Sequence, residues 1–410
     1  MKVLVDVSPL REHREFRLLW IGQLVTFVGS MITYVAVPFQ VYDLTRSTAT
    51  VGALGAVEFV SMMLTAFVGG ALADAKDRRR MVRLTEGLML VGAALLCGNA
   101  LLDHPSVVAL FVLLFFLGAA ESLQRPSLDG LLPRLVPKEQ LVAAGALNSF
   151  KMTAGAIAGP ALGGVLIAAF GIAATYAVDV VTFAVSLAML SLMQAVPPPP
   201  EAAPPSLKGV LEGFRYARSR PELIGTYLVD INAMFFGMPN ALFPALAVGF
   251  GGPAVLGLLY SAPFVGALLA SVTSGWAAHV HRQGLGVLWA AGLWGVAILL
   301  FGLTPWLWLA LVFLALAGAA DMISGVFRST IWNTTIPDHL RGRLAGIELV
   351  SYGTGPTLGN VESGAVAAIT SPRFSVGLGG ALCVVGTVAL AAALPAFRRY
   401  DARSHQLEAH

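Results

Sequence analysis

Seven charged residues sit well inside apolar runs of this 410-residue chain: Glu58, Glu121, Lys151, Asp179, Asp230, Asp321 and Glu348. Asp43 and Glu362 stand nearer the ends of theirs. A charge placed deep in an apolar environment is costly, so it faces protein or water and commonly has a function. A carboxyl group exposed first to one side of a membrane and then to the other can load and release a proton. Glu58 and Glu121 are the first candidates for that role, with Asp230 and Asp321 next. Glu121, Arg125 and Asp129 follow one another at intervals of four, which puts an acid on either side of an arginine along one helical face. Asp321 and Arg328, seven apart, repeat the pattern two turns away. Pairs of this kind also serve structure alone, by leaving no buried charge uncompensated. Lys151 has two readings that stand side by side: it binds an anionic substrate or takes part in coupling, or it is a fixed partner of Glu121 or Glu58.

Amides and aromatic rings among the apolar runs suit a bulky, partly apolar ligand with several hydrogen-bonding groups. Gln23, Tyr34 and Asn148 join Lys151 in this set from the first half of the chain. Tyr227, Asn232, Tyr260, Trp332 and Tyr352 belong to it from the second. Other chemistry lacks the residues it needs. There is no GxxxxGK[ST] loop for a nucleoside triphosphate, no serine nucleophile elbow and no zinc cluster. His279 and His281 have no acidic third ligand nearby, so no metal is expected. Cys97 and Cys383 both fall in apolar runs and read as small core residues. Neither an enzyme nor a cofactor is expected.

The elements that position these residues are membrane helices. The chain is 57% hydrophobic and 12% charged, with a mean hydropathy of +0.77, against roughly a quarter charged in a soluble domain. That is too little charge to cover a water-soluble surface, and the bilayer is the expected partner. Stretches of about 20 apolar residues suffice to cross it, and they recur at 17–42, 50–72, 81–102, 106–128, 140–168, 172–194, 222–249, 253–277, 284–302, 305–330, 342–369 and 373–396. The expected fold is all-α and integral to the membrane, with twelve crossings in two pseudo-symmetric six-helix bundles. Lys and Arg gather in alternate loops, around Arg78, Arg134, Arg218 and Arg341, while the opposite loops hold only Arg46 and Arg373. By the positive-inside rule both termini are cytoplasmic. The basic residues form no stripe interleaved with aromatics, so no nucleic acid is expected.

Residues 195–221, with Pro197 to Pro200, Pro204 and Pro205, read as a semi-rigid cytoplasmic linker. They divide an N-terminal bundle, 1–194, from a C-terminal one, 222–410. A shift of 205 positions lays Gly52, Phe59, Val60, Leu64, Gly70 and Ala73 on Gly257, Phe264, Val265, Leu269, Gly275 and Ala278. The halves are therefore a parallel repeat, which offers a central path.

The segment GALADAKDRRR, Gly70 to Arg80, resembles the loop signature between helices two and three of the major facilitator superfamily. GAIAGPALGG from Gly155, echoed by GTGP from Gly353, is similar to a signature of its drug:proton antiporter-like branch. VPFQVYDLT from Val37 and the PPPP linker followed by LKGVLEGFRY bring the chain nearest to bacterial siderophore exporters and related drug efflux proteins. The resemblance implies a monomeric transporter that exports a small amphipathic compound, a siderophore among the candidates, by proton antiport and alternating access. It also implies a conformational latch built from Gly70, Asp74, Asp77, Arg78 and Arg79, with Arg125, Asp129 and Arg328 as further members. A broad multidrug antiporter and a non-transporting receptor or scaffold are the alternatives.

Overall fold

The computed structural model describes residues 6–75, 77–194 and 215–401; the side chains of 66–76 and of 338, 339, 341–343 and 345–351 lie outside that description. Every regular element within it is helical. A short α1 (Ser8–Glu12) leads into α2 (Arg14–Thr45), α3 (Thr48–Ala75), α4 (Arg78–Ala100), α5 (Val107–Leu135) and α6 (Leu141–Ser191). After the linker come α7 (Pro221–Phe236), α8 (Phe243–Phe250), α9 (Pro253–Thr273), α10 (Gln283–Leu303), α11 (Leu307–Thr335), α12 (Asp338–Ile369), α13 (Pro372–Ala393) and α14 (Pro395–Arg398). Ten helical stretches among the described residues are long and apolar enough to cross a membrane.

Three of the expected spans differ in form. The pair at 140–168 and 172–194 is joined without a loop: the helix breaks only at Gly171, whose φ of 79° and ψ of 175° a residue with a Cβ would adopt with strain. The span at 222–249 is interrupted between α7 and α8, where Gly237 and Pro239 precede a 3-10 turn at Asn240–Leu242. Pro239 has no N–H to continue the helix. Broken backbone at membrane depth survives only where its freed groups find partners. Asn360 of α12 supplies one, its Oδ1 accepting from the Ala241 N–H at 3.0 Å.

Contacts gather the chain into two compact units. The first holds Met1–Thr45, Val60–Pro205 and Gly251–Ser261; the second holds Arg46–Phe59, Ser206–Phe250 and Ala262–His410. Relative to a division in chain order, each unit thus takes in the start of one helix from the other half. Glycine explains both exchanges. In the first unit Gly164 of α6 lies against the backbone of Gly257 of α9, where an added Cβ would come within 2.7 Å of the Gly257 nitrogen. Ser261 also donates to the Ile157 carbonyl at 2.8 Å. In the second unit Gly364 of α12 lies on Gly52 of α3 in the same way, an added Cβ coming within 2.9 Å of the Gly52 Cα, and Thr48 donates to the Gly364 carbonyl at 3.1 Å. Small residues let helix backbones approach this closely where there is no hydrophobic drive between them.

Candidate functional site

The core of the first unit is α2 packed against both arms of α6. On α2, Gly22, Thr26, Gly29, Thr33, Ala36 and Gln40 recur every three or four residues and are all buried. They meet Tyr176, Asp179, Thr182 and Ser186 of the second arm of α6, a polar stripe at the same period. Asp179, 1% exposed, accepts from the hydroxyls of Thr33 at 2.5 Å and Thr182 at 3.0 Å. Tyr176 donates to Gln40 Oε1 at 2.9 Å. The first arm uses Gly155, Gly159 and Gly163 at intervals of four against Phe27, Met31 and Ile32. The glycine motif singled out in the sequence is therefore a packing surface for α2.

One residue of this core escaped the sequence reading. Glu86 on α4 is 1% exposed and accepts from the Gln23 amide at 2.6 Å. Ser186 and Gln124 face the same carboxyl. Gln23 is expected to line a cavity; instead its amide is turned inward on Glu86, because α2 presents that face to α4. Glu86 follows a run of arginines and reads from sequence as an interfacial charge. Its only local hint is that Val82, Glu86, Met89 and Ala93 share one helical face and are all buried.

Glu121 and Arg125 are both exposed and interact along α5, as their spacing of four implies. Asp129, also exposed, is an acid whose charge acts on Lys151 of α6. Asn148 and Glu58 are half-buried. Tyr34 and Tyr260 meet edge to face with centroids 5.3 Å apart.

In the second unit the polar face of α11 meets that of α7. Arg328, 3% exposed, is ion-paired with Asp230 and reaches Asp321 Oδ1 at 3.4 Å. Sequence joins Arg328 to Asp321 by spacing; Asp230, on another helix, is the closer and more deeply buried partner. Aromatic rings cover the arginine. Its Cζ lies 5.3 Å from the centroid of Tyr352, a cation–π distance. Trp332 meets Tyr352 at 5.6 Å and Tyr227 at 5.9 Å, and its indole N–H donates to Thr226 at 2.9 Å. Beside this cluster lies a small cavity of about 10 Å3, lined by Asp230, Met234, Trp294, Asp321 and Ser324 among others. Trp294 Nε1 is buried there with no acceptor among the described residues.

Asn232, expected in the cavity lining, faces α13 instead. Its amide nitrogen donates to the Cys383 carbonyl at 3.0 Å and to Thr387 at 3.2 Å, so it fastens two helices. Two members of the expected latch have local duties that their positions explain. Asp77 caps α4, accepting from the Arg80 N–H at 3.2 Å. Arg79 donates to the Leu190 and Ser191 carbonyls at 3.1 and 2.9 Å, closing the C-terminus of α6 where carbonyls lack helical partners. Arg78 lies over Gly130 of α5, leaving no room there for a Cβ. The side chains of Gly70 and Asp74 fall outside the described residues. Among the described residues no group of histidine, cysteine and acidic side chains could hold a metal ion.

The family described as transmembrane secretion effector, one of the major facilitator group, matches this chain over residues 5–409. The enterobactin exporter EntS of Citrobacter koseri is 34% identical over 399 residues, spanning 97% of this chain and 96% of its own. That of Escherichia coli strain SMS-3-5 is 34% identical over 409 residues, with 99% and 98% covered. Among solved structures, the nucleoside transporter NupG superposes with a TM-score of 0.76 at 14% identity, over 92% of this chain and 98% of its own. A bacterial homologue of the lysosomal transporter Spinster, inward-facing and unoccupied, gives 0.69 at 16% identity over 98% of each chain.

Proposed function

We propose that this chain, which belongs to the transmembrane secretion effector family of the major facilitator superfamily and is a multi-pass membrane transporter and not an enzyme, exports a catecholate siderophore or a similar aromatic, anionic compound by proton antiport. The observation that carries this reading is the cluster of polar and aromatic groups around Arg328 and the small cavity beside it. At about 10 Å3 the cavity has room for about one water, so an aromatic ring enters only once the helices around it move apart. The groups around it fit a ring bearing neighbouring hydroxyls. Trp294 Nε1 lacks an acceptor among the described residues, Arg328 brings positive charge, Asp321 and Ser324 accept or donate, and Met234 offers a soft apolar wall. The full-length likeness to enterobactin exporters supports the same substrate class.

The ten membrane-length stretches, with the arm of α6 beyond Gly171 and the 32-residue α12 each counted as a further crossing, make twelve. An even number places both termini on one side, and the Lys and Arg bias makes that side the cytoplasm of a bacterial inner membrane. In this reading the chain acts as a monomer, and Lys151, Arg125 and Arg328 attract the anionic substrate. Asp230 and Asp321, sharing one arginine, exchange a proton as substrate comes and goes; Glu58 and Glu121 are the corresponding acids of the first half. Asp74, Arg78 and Asp129 remain the proposed latch residues at the inner ends of α3, α4 and α5.

Binding tests the site directly. A catechol siderophore free of iron should quench tryptophan fluorescence of the purified protein, and Trp294→Phe together with Arg328→Met should weaken that binding at least tenfold. Equal affinity in wild type and both variants would remove the cavity from the account.

A further inference from the structure

Glu86 occupies a position that the transport site above does not use. Three helices converge on it: α2 brings Gln23, α5 brings Gln124, with Ser127 one turn further along that helix, and α6 brings Ser186. All five residues are buried. Among the described residues four polar atoms here lack a hydrogen-bond partner: Glu86 Oε2, Gln124 Nε2, Ser127 Oγ and Ser186 Oγ. Buried polar atoms are rarely left so, and each orphan needs a reason. Among the described residues the titratable group that acts on Glu86 is Asp179 from α6, a second acid; α2 and α5 offer amides and hydroxyls, and no base among the described residues acts on it. Two neighbouring carboxyl groups without a base cannot both carry charge in a dry interior. Asp179 accepts from two hydroxyls, while Glu86 Oε2 has no hydrogen-bond partner among the described residues. The proton therefore belongs on Glu86.

We propose that Glu86 is a second proton-binding site of the transporter, a neutral carboxylic acid at the centre of the first unit whose Oε2 hydroxyl donates to Ser186. Ser186 in turn sits directly under Gly22, where an added Cβ would lie 3.1 Å from its Oγ, so the acceptor cannot be displaced toward α2. Release of the proton leaves a carboxylate facing Asp179, and separation of the helices is the means by which that repulsion is relieved. This extends the proton-coupled reading and rests on it for the transport consequence only.

Infrared difference spectroscopy of the purified full chain reads the proton without any transport. At neutral pH the wild type should show a carboxylic acid C=O band that is absent in Glu86→Gln, present in Glu121→Gln, and unchanged when sodium chloride replaces choline chloride. Glu86→Gln, an uncharged mimic of the acid, should melt at the wild-type temperature, whereas Glu86→Ala should melt lower. In proteoliposomes Glu86→Gln should exchange siderophore across the membrane yet fail to accumulate it against a gradient. An unaltered band in Glu86→Gln, a band abolished by sodium, or undiminished uphill accumulation by that variant would each overturn the proposal. If wild type moves no siderophore at all, the substrate reading fails while the infrared band still decides on Glu86.

Discussion

Replacing Arg328 with methionine tests whether the second unit is held by a charge pair or by packing alone. The arginine and Asp230 side chains are 4% and 6% exposed, so the small values typical of surface ion pairs do not apply. Removing one partner of a buried pair leaves an uncompensated charge and costs about 3–5 kcal/mol. Asp321 is 43% exposed and 3.4 Å away, so its contribution is screened and Asp321→Asn should cost under about 1 kcal/mol. Asp230→Asn falls between, because Arg328 keeps Asp321. The double variant Asp230→Asn with Arg328→Met removes both charges, and replacing a buried pair by neutral groups is often nearly neutral. It should therefore lie within about 2 kcal/mol of wild type, giving a coupling of at least about 2 kcal/mol. Reversible unfolding in mixed detergent micelles, followed by tryptophan fluorescence, measures all four proteins. If the double variant loses the sum of what Arg328→Met and Asp230→Asn lose separately, the two charges are not coupled and the reasoning fails.

Three further outcomes follow from the geometry. Gly164→Ala places a Cβ within 2.7–2.8 Å of the backbone of Gly257 and Pro253, which cannot yield, so α6 and α9 must separate; a cysteine cross-link between these helices should form several times more slowly in that variant. Asn360→Ala leaves the Ala241 N–H without its acceptor and should cost about 1–3 kcal/mol in the same unfolding assay, while Asn360→Asp should retain most of the stability. Lys151→Gln should raise the siderophore concentration needed for half-maximal transport several-fold with little change in the maximal rate, as loss of binding alone does; a fall in maximal rate alone would show that Lys151 serves the conformational cycle.

What could be read from the residues in order is instructive in its limits. Apolar run lengths and the basic loops suffice for a multi-pass helical fold, since the bilayer demands continuous helices. The Gly52 and Gly257 correspondence, found by sliding the sequence along itself, reappears as two equivalent backbone crossings, with Gly364 and Gly164 as their partners. Spacing also identified Asp321 and Arg328 as neighbours, because both lie on one helix. Asp230 could not be joined to them: it lies on another helix, and which face each helix turns inward is set by packing. The same limit hid Glu86, whose partner Gln23 is 63 residues away. Glu121 and Arg125 were correctly placed on a common face of α5, but spacing alone could not show that the face is exposed.

The central claim is uphill, proton-driven export of an aromatic anion. Flux of iron-free enterobactin in proteoliposomes under an imposed pH gradient, with a hydrophobic dye in parallel, tests it most directly. The account predicts siderophore movement that depends on the gradient and is lost in Asp230→Asn, with little movement of the dye. Siderophore flux that ignores the gradient, or dye flux without siderophore, would contradict it.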